Sequence, residues 1–171
     1  RKGDLDMAGR INNGPEEKNA QTDYSSVLLS PSIRIDQIYT VHYFEYMNDF
    51  FFPGERHDFW EFLCVDKGEA VVTAGENTFT LKKDEIIFHQ PDEFHSVKAN
   101  GETAPNLVVV SFSCDSPNMD FFRSKTLRIG ETERSLIASI LSEAGRSFTT
   151  PLDDPYTKKM ELSENAPFGS L

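Results

Sequence analysis

Three residues stand out for their chemistry: His57, Glu61 and His95. Side chains alternate faces along a strand, so His57, Phe59, Glu61 and Leu63 share one face if this stretch is extended. His95 follows the Pro91-Asp92-Glu93 turn and lies on another strand-like run, Phe94–Val97. Two imidazoles and a carboxylate converging from two strands could do one of three things. They could hold a divalent metal, as in many non-haem sites. They could hydrogen-bond a small polar ligand, since a carboxylate accepts and a neutral imidazole offers one donor and one acceptor. Or they could pair with one another as a buried structural trio. Phe59, Leu63 and Val97 could supply apolar walls beside them.

The elements that would position these groups are short strands. Ile38–Tyr46 is rich in β-branched and aromatic residues, and Asp58–Val65, Ala70–Ala74, Thr78–Leu81, Glu85–His89, Phe94–Val97 and Leu107–Ser113 follow. Turn chemistry separates them: Pro53-Gly54, Asp66-Lys67-Gly68, Gly75-Glu76-Asn77, Lys83-Asp84 and Asn100-Gly101. Short strands at this spacing predict a mainly β fold, a sandwich or barrel. After Asp115 the period changes. Leu136, Ile137, Ile140, Leu141 and Ala144 fall on one face of a helix predicted over 131–146, expected to pack on the barrel through Leu136, Ile137, Ile140 and Leu141. Glu131 and Glu133 suit its N-terminal end and Gly145 its stop. Residues 148–165 read as a loop, and the polar residues 1–32 as a flexible arm.

Other candidates have bland readings. Trp60 falls on the face opposite His57 and reads as packing between layers. His42 and His89 read as satisfied structural histidines. Phe50-Phe51-Phe52 reads as core, with a rim around the barrel mouth as the alternative. Cys64 and Cys114 lie in apolar runs and read as small buried hydrophobes rather than a redox pair.

Composition narrows the function. The 171-residue chain has a formal net charge of -11 and no dense Lys/Arg cluster, which argues against phosphate binding by these residues. No apolar run approaches the length of a membrane helix, and no secretory leader is evident, so a cytoplasmic location is expected, with no membrane partner. No nucleophile elbow, phosphate loop, CxxC pair or HExxH motif occurs, so the enzyme classes with clear linear marks are not supported.

The stretch His57-Asp-Phe-Trp-Glu61, with Gly68 seven residues on, resembles the latter half of the first cupin motif, and Pro91-Asp-Glu-Phe-His95 resembles the core of the second. The motif's first His is replaced by Glu55, and a usual Gly by Asp92. These runs, with Ile87–Val97, Ala104–Phe112 and Pro167-Phe-Gly, are together similar to the N-terminal domains of arabinose-regulator (AraC) family transcription regulators, over roughly Ile38–Leu171. The resemblance implies a cupin-type jelly-roll barrel over 33–115 that senses a small-molecule effector, often a carbohydrate. It implies a helical extension over 116–171 that starts a homodimer region, and DNA binding only through a C-terminal domain absent from this sequence. Expected ligand contacts are His57, Phe59, Glu61, Leu63, His95 and Val97. No cofactor is expected; a divalent metal, if bound, would sit on His57, Glu61 and His95. The alternative is a stand-alone metal-dependent cupin enzyme, a dioxygenase or sugar isomerase.

Overall fold

The computed structural model describes residues 24–170. Most of the expected flexible arm lies outside that range; Tyr24–Ser30 are exposed and belong to no helix or strand.

Nine strands and two helical segments follow in order. They are β1 (Gln37–Glu45), β2 (Phe51–Glu55), β3 (Trp60–Lys67), β4 (Glu69–Ala74), β5 (Asn77–Lys82), β6 (Glu85–His89), β7 (His95–Ala99), β8 (Asn106–Ser113), a 3-10 turn (Pro117–Phe122), β9 (Thr126–Arg128) and α1 (Glu131–Ser147). All pairings are antiparallel. One sheet has the order β1-β8-β3-β6-β9 and the other β2-β7-β4-β5. This mainly β architecture, two sheets followed by one helix, is the cupin-type barrel that the strand spacing and motifs predict.

The central strands of the five-stranded sheet, β3 and β8, are buried on both faces, which explains why they read as unbroken apolar runs. Leu63, Val65, Leu107 and Val109 point between the sheets, where they meet Val72, Leu81 and Ile87. Trp60, Phe62, Cys64, Val108 and Val110 point the other way, into a second cluster covered by Ile137, Leu141 and Ala144 of α1. Trp60 therefore packs on the face opposite Glu61, with the Arg123 guanidinium 5.2 Å from its ring centre. Cys64 and Cys114 are free and buried in this outer cluster.

Several sequence expectations need correction. Pro53-Gly54 is not a turn between strands: it lies inside β2, an edge strand that tolerates a proline and carries a register shift between Phe52 and Glu55. The second predicted strand starts at Trp60 rather than Asp58, and the strand after Pro91 starts at His95 rather than Phe94. The five-stranded sheet recruits Thr126–Arg128, which pairs with β6 and carries no strand signal long enough to read. Helix α1 runs to Ser147, through Gly145, and the Glu133 carboxylate accepts from the Gly130 N–H at 2.7 Å. Its packing face is Ile137, Leu141 and Ala144; Leu136 is 61% exposed and Ile140 38% exposed. The helical face is thus rotated toward the later residues of the apolar stripe.

Candidate functional site

A cavity of about 350 Å³ opens between the sheets, within the size range of small-molecule sites. His57, Phe59, Glu61, Leu63, His95 and Val97 all line it. His57 and Phe59 precede β3, with a bend at 58–59 rather than continuous strand, yet both face the cavity with Glu61. Their rings stack at 3.8 Å, and Phe59 stacks in turn on Tyr39 at 4.0 Å. Tyr46 and Phe52 add further aromatic wall. Of the phenylalanine triplet, Phe52 reaches the cavity while Phe51 is 63% exposed, so the triplet is not core as a unit.

The polar floor is built from β1, β2, β3, β7 and β8. Ser111 Oγ donates to Glu61 Oε2 at 2.7 Å and lies 2.9 Å from Thr40 Oγ1. Because the Ser111 proton goes to the carboxylate, Thr40 must donate to Ser111, giving a one-way chain from Thr40 to Ser111 to Glu61. The tautomers of two imidazoles are equally determined. His57 Nδ1–H donates to the Phe59 carbonyl at 3.0 Å, and His95 Nδ1–H to the Glu93 carbonyl at 3.0 Å. A carbonyl only accepts, so in each neutral ring Nε2 carries the lone pair.

Those two Nε2 atoms face Glu61, at 3.6 Å from Oε2 for His57 and 3.4 Å from Oε1 for His95. They are buried, yet neither completes a hydrogen bond of good geometry. Burial would raise the Glu61 carboxyl, but the facing imidazoles of His57 and His95 and the Ser111 hydroxyl outweigh it and hold it below the usual carboxylate range. Burial pulls the His95 ring down, and Glu61 outweighs that effect, so His95 holds its proton more firmly than a free histidine.

Two histidines read as structural belong to the same neighbourhood. His89 is 1% exposed, lines the cavity and stacks on His95 at 4.4 Å. Its Nδ1 lies 3.4 Å from Glu93 Oε2, and burial lowers its pKa. His42 also lines the cavity, and its Nδ1–H donates to the Leu152 carbonyl at 3.3 Å. It is the cross-strand register of β3 and β6 that sets His89 opposite Glu61. Nothing local in the sequence signals that Pro155, Thr157 and Lys158, beyond α1, also line the cavity.

The cavity also holds a group of residues that could bind a metal ion. Glu55, the departure from the first cupin motif, sits with its Oε1 3.9 Å from His95 Nε2. One donor atom each from Glu55, His57, Glu61 and His95 lies within 4.8 Å of the others. Two bare imidazole nitrogens and two carboxylates form a donor set suited to a divalent transition cation, and these four residues would hold it. Such an ion would supply a Lewis-acid charge to oxygen ligands in the cavity.

Fold and site together define a ligand-binding barrel of the cupin type. The family model of the AraC-like ligand binding domain matches residues 38–124, and the chain belongs to that family. Among solved structures, a cupin domain of Schizosaccharomyces pombe Cnp3 is similar at 21% identity and a TM-score of 0.39, over 47% of this chain and 55% of that one. Apo ToxT K231A from Vibrio cholerae is similar at 9% identity and a TM-score of 0.44, over 63% of this chain and 48% of that one. The chain thus spans about half the length of these two. No curated protein matches.

Proposed function

We propose that this chain is the effector-sensing domain of a bacterial transcription regulator, and that its effector is a small polar molecule, a sugar or sugar derivative. Membership of the AraC-like ligand-binding family supports a regulatory domain rather than an enzyme. The observation that carries the choice of ligand is the cavity itself: aromatic walls from Tyr39, Phe59 and Phe52 around a floor where His57, Glu61 and His95 converge. Sugars present apolar C–H faces and hydroxyl edges, and such a site offers a partner to each. In the neutral rings the His57 and His95 Nε2 atoms accept from hydroxyls, a protonated His95 donates instead, and Glu61 accepts more strongly.

In this reading residues 33–115 with their sheet partners sense the ligand, 116–171 begin the dimer region, and a further domain contacts DNA in the cytoplasm. Among the described residues no helix is long and apolar enough to cross a membrane. Calorimetry with a panel of pentoses, hexoses and their acids tests the ligand class. A sugar that binds the native protein is expected to lose about 5- to 150-fold in affinity with Glu61→Gln or His95→Ala, the cost of one unpaired buried polar group. A true ligand indifferent to both changes, with both variants folded, places the pocket elsewhere.

The second reading is a metal-dependent cupin enzyme, and the four-residue donor cluster favours it. Elemental analysis after expression with Mn²⁺, Fe²⁺ or Zn²⁺ separates the two: a stoichiometric metal lost in Glu55→Gln and His57→Ala supports it, and a metal-free protein that binds sugar refutes it.

A further inference from the structure

The barrel does not close its own cavity. The segment that follows α1, Phe148–Leu162, leaves the helix, reaches the cavity and returns. Its base is fastened: Phe148 bridges Leu162, Thr149 N donates to the Glu161 carbonyl at 2.8 Å, and Ser163 N to the Ser147 carbonyl at 2.8 Å. Glu161 N adds a bond to Thr150 Oγ1 at 2.7 Å. Both limbs are held as well. The Leu152 carbonyl accepts from Tyr43 N–H at 2.9 Å and from His42, and Leu152 and Met160 pack on the outer cluster.

The tip, residues 153–159, is different. Thr157 N donates to the Asp154 carbonyl and Tyr156 N to Asp154 Oδ1, so the hydrogen bonds described for the tip stay within it. Pro155, Thr157 and Lys158 nevertheless line the cavity, and Tyr156 is 87% exposed beside them. A pinned base and a tip joined to its own limb by the exposed Lys159–Glu161 ion pair at 3.0 Å, lying against an open cavity, have the form of a lid. The tip's few buried contacts place it at the low-stability end of the molecule, where opening is easiest.

We propose that Phe148–Leu162 is a strap that completes the ligand site with Pro155, Thr157 and Lys158 and closes over the occupant of the cavity. The inference rests on reading that cavity as the ligand site. It adds a second, non-barrel group of contacts, with Lys158 bringing a cation toward a floor that otherwise presents the Glu55 and Glu61 carboxylates. Ligand exchange then requires the tip to lift while His42, Tyr43 and the Phe148–Leu162 bridge hold the limbs.

The test needs no knowledge of the effector. Val109 lines the cavity wall and is replaced by cysteine, a near-isosteric change. The probe is 2-hydroxyethyl methanethiosulfonate, whose sulfur forms a disulfide with the thiolate as methanesulfinate leaves, and adducts are counted by mass spectrometry. The native chain is the control, since Cys64 and Cys114 are buried on the opposite face of the sheet. Replacing residues 153–159 by four glycines is expected to speed labelling of V109C by about 10-fold, because the gate is removed. In the full-length V109C chain the tethered hydroxyethyl group acts as an occupant, and amide exchange over 153–159 is expected to slow about 10-fold while the 75–77 turn is unchanged. Equal labelling rates with and without the tip overturn the proposal. If the shortened chain does not fold, unchanged exchange of the tip in the tethered protein overturns it alone. Failure of every sugar to bind leaves both readouts standing, so the two proposals fail separately.

Discussion

Gly54 has a backbone φ of +110° and sits in β2 immediately before Glu55, opposite β7. A Cβ at this position would lie 2.5 Å from Phe94 Cζ and 2.7 Å from the His95 carbonyl oxygen. The Phe94 ring is partly exposed and can swing aside. The carbonyl cannot, because it belongs to the strand that carries His95. Gly54→Ala therefore incurs two costs: roughly 1 kcal/mol for forcing an L-residue to positive φ, and about 2 kcal/mol for overpacking against fixed backbone. Gly101 separates them. Its φ is +85°, and a Cβ there meets nothing within 4 Å, so Gly101→Ala incurs only the first, about 1 kcal/mol. Urea unfolding reads both. With a slope of about 1.5 kcal/mol/M, the midpoint should fall by roughly 2 M for Gly54→Ala and 0.7 M for Gly101→Ala, slope unchanged. The Gly54 variant should also lose ligand or metal affinity, because relief of the clash moves Glu55 away from His95. Equal losses of stability in the two variants would refute the contact argument and leave the bulge in β2 without a role in setting the floor of the site.

Three further outcomes are expected. Ser111→Ala removes the donor to a buried carboxylate and leaves the Thr40 hydroxyl without its acceptor; chemical denaturation should show a loss of about 2 kcal/mol, in the range for hydrogen bonds to charged groups. On α1, Ile137→Ala should cost about 2–3 kcal/mol because Ile137 packs on the outer cluster, whereas Leu136→Ala should fall within about 0.5 kcal/mol; the reverse order by thermal melts would mean the helix is rotated from its described face. His42 has its pKa lowered, by burial first, so below the ordinary value of 6.5 the unfolded chain takes up its proton before the folded one. Its contribution therefore makes stability fall as pH drops below 6.5, and His42→Phe should flatten that part of the pH–stability curve. His89 acts in the same direction and His95 in the opposite one, but both are common to the two proteins and cancel in the comparison.

What the sequence disclosed, and what it hid, divides along physical lines. Strands β3, β6 and β8 were legible as short apolar, β-branched runs bounded by turn residues, and the shared face of His57, Glu61 and Leu63 from the alternation of side chains along an extended chain. Two things were hidden for one reason. Edge strand β2 contains Pro53 and Gly54, which signal a turn anywhere but at a bulged edge. Strand β9 has three residues and exists only because β6 offers it a partner. The bare Nε2 atoms were hidden because a tautomer depends on a carbonyl two residues away and on the turn that aims it. His89 reads locally as a lone structural histidine, and only cross-strand pairing sets it beside Glu61. The apolar stripe of α1 is wider than the surface it covers, which leaves Leu136 and Ile140 outward and hides the packing face from a sequence reading. The strap over the cavity had no local mark at all.

The five-stranded sheet is one residue thick, and the alternation along β3 and β8 gives its two faces to different tasks. Glu61, Leu63, Val109 and Ser111 face the cavity, while Trp60, Phe62, Val108 and Val110 face the cluster beneath α1. Consecutive codons therefore answer to different selective demands. Cavity residues can be substituted without altering the surface that seats the helix. The cavity lining and the seat of the helix can thus be altered separately, because neighbouring positions in the chain point in opposite directions.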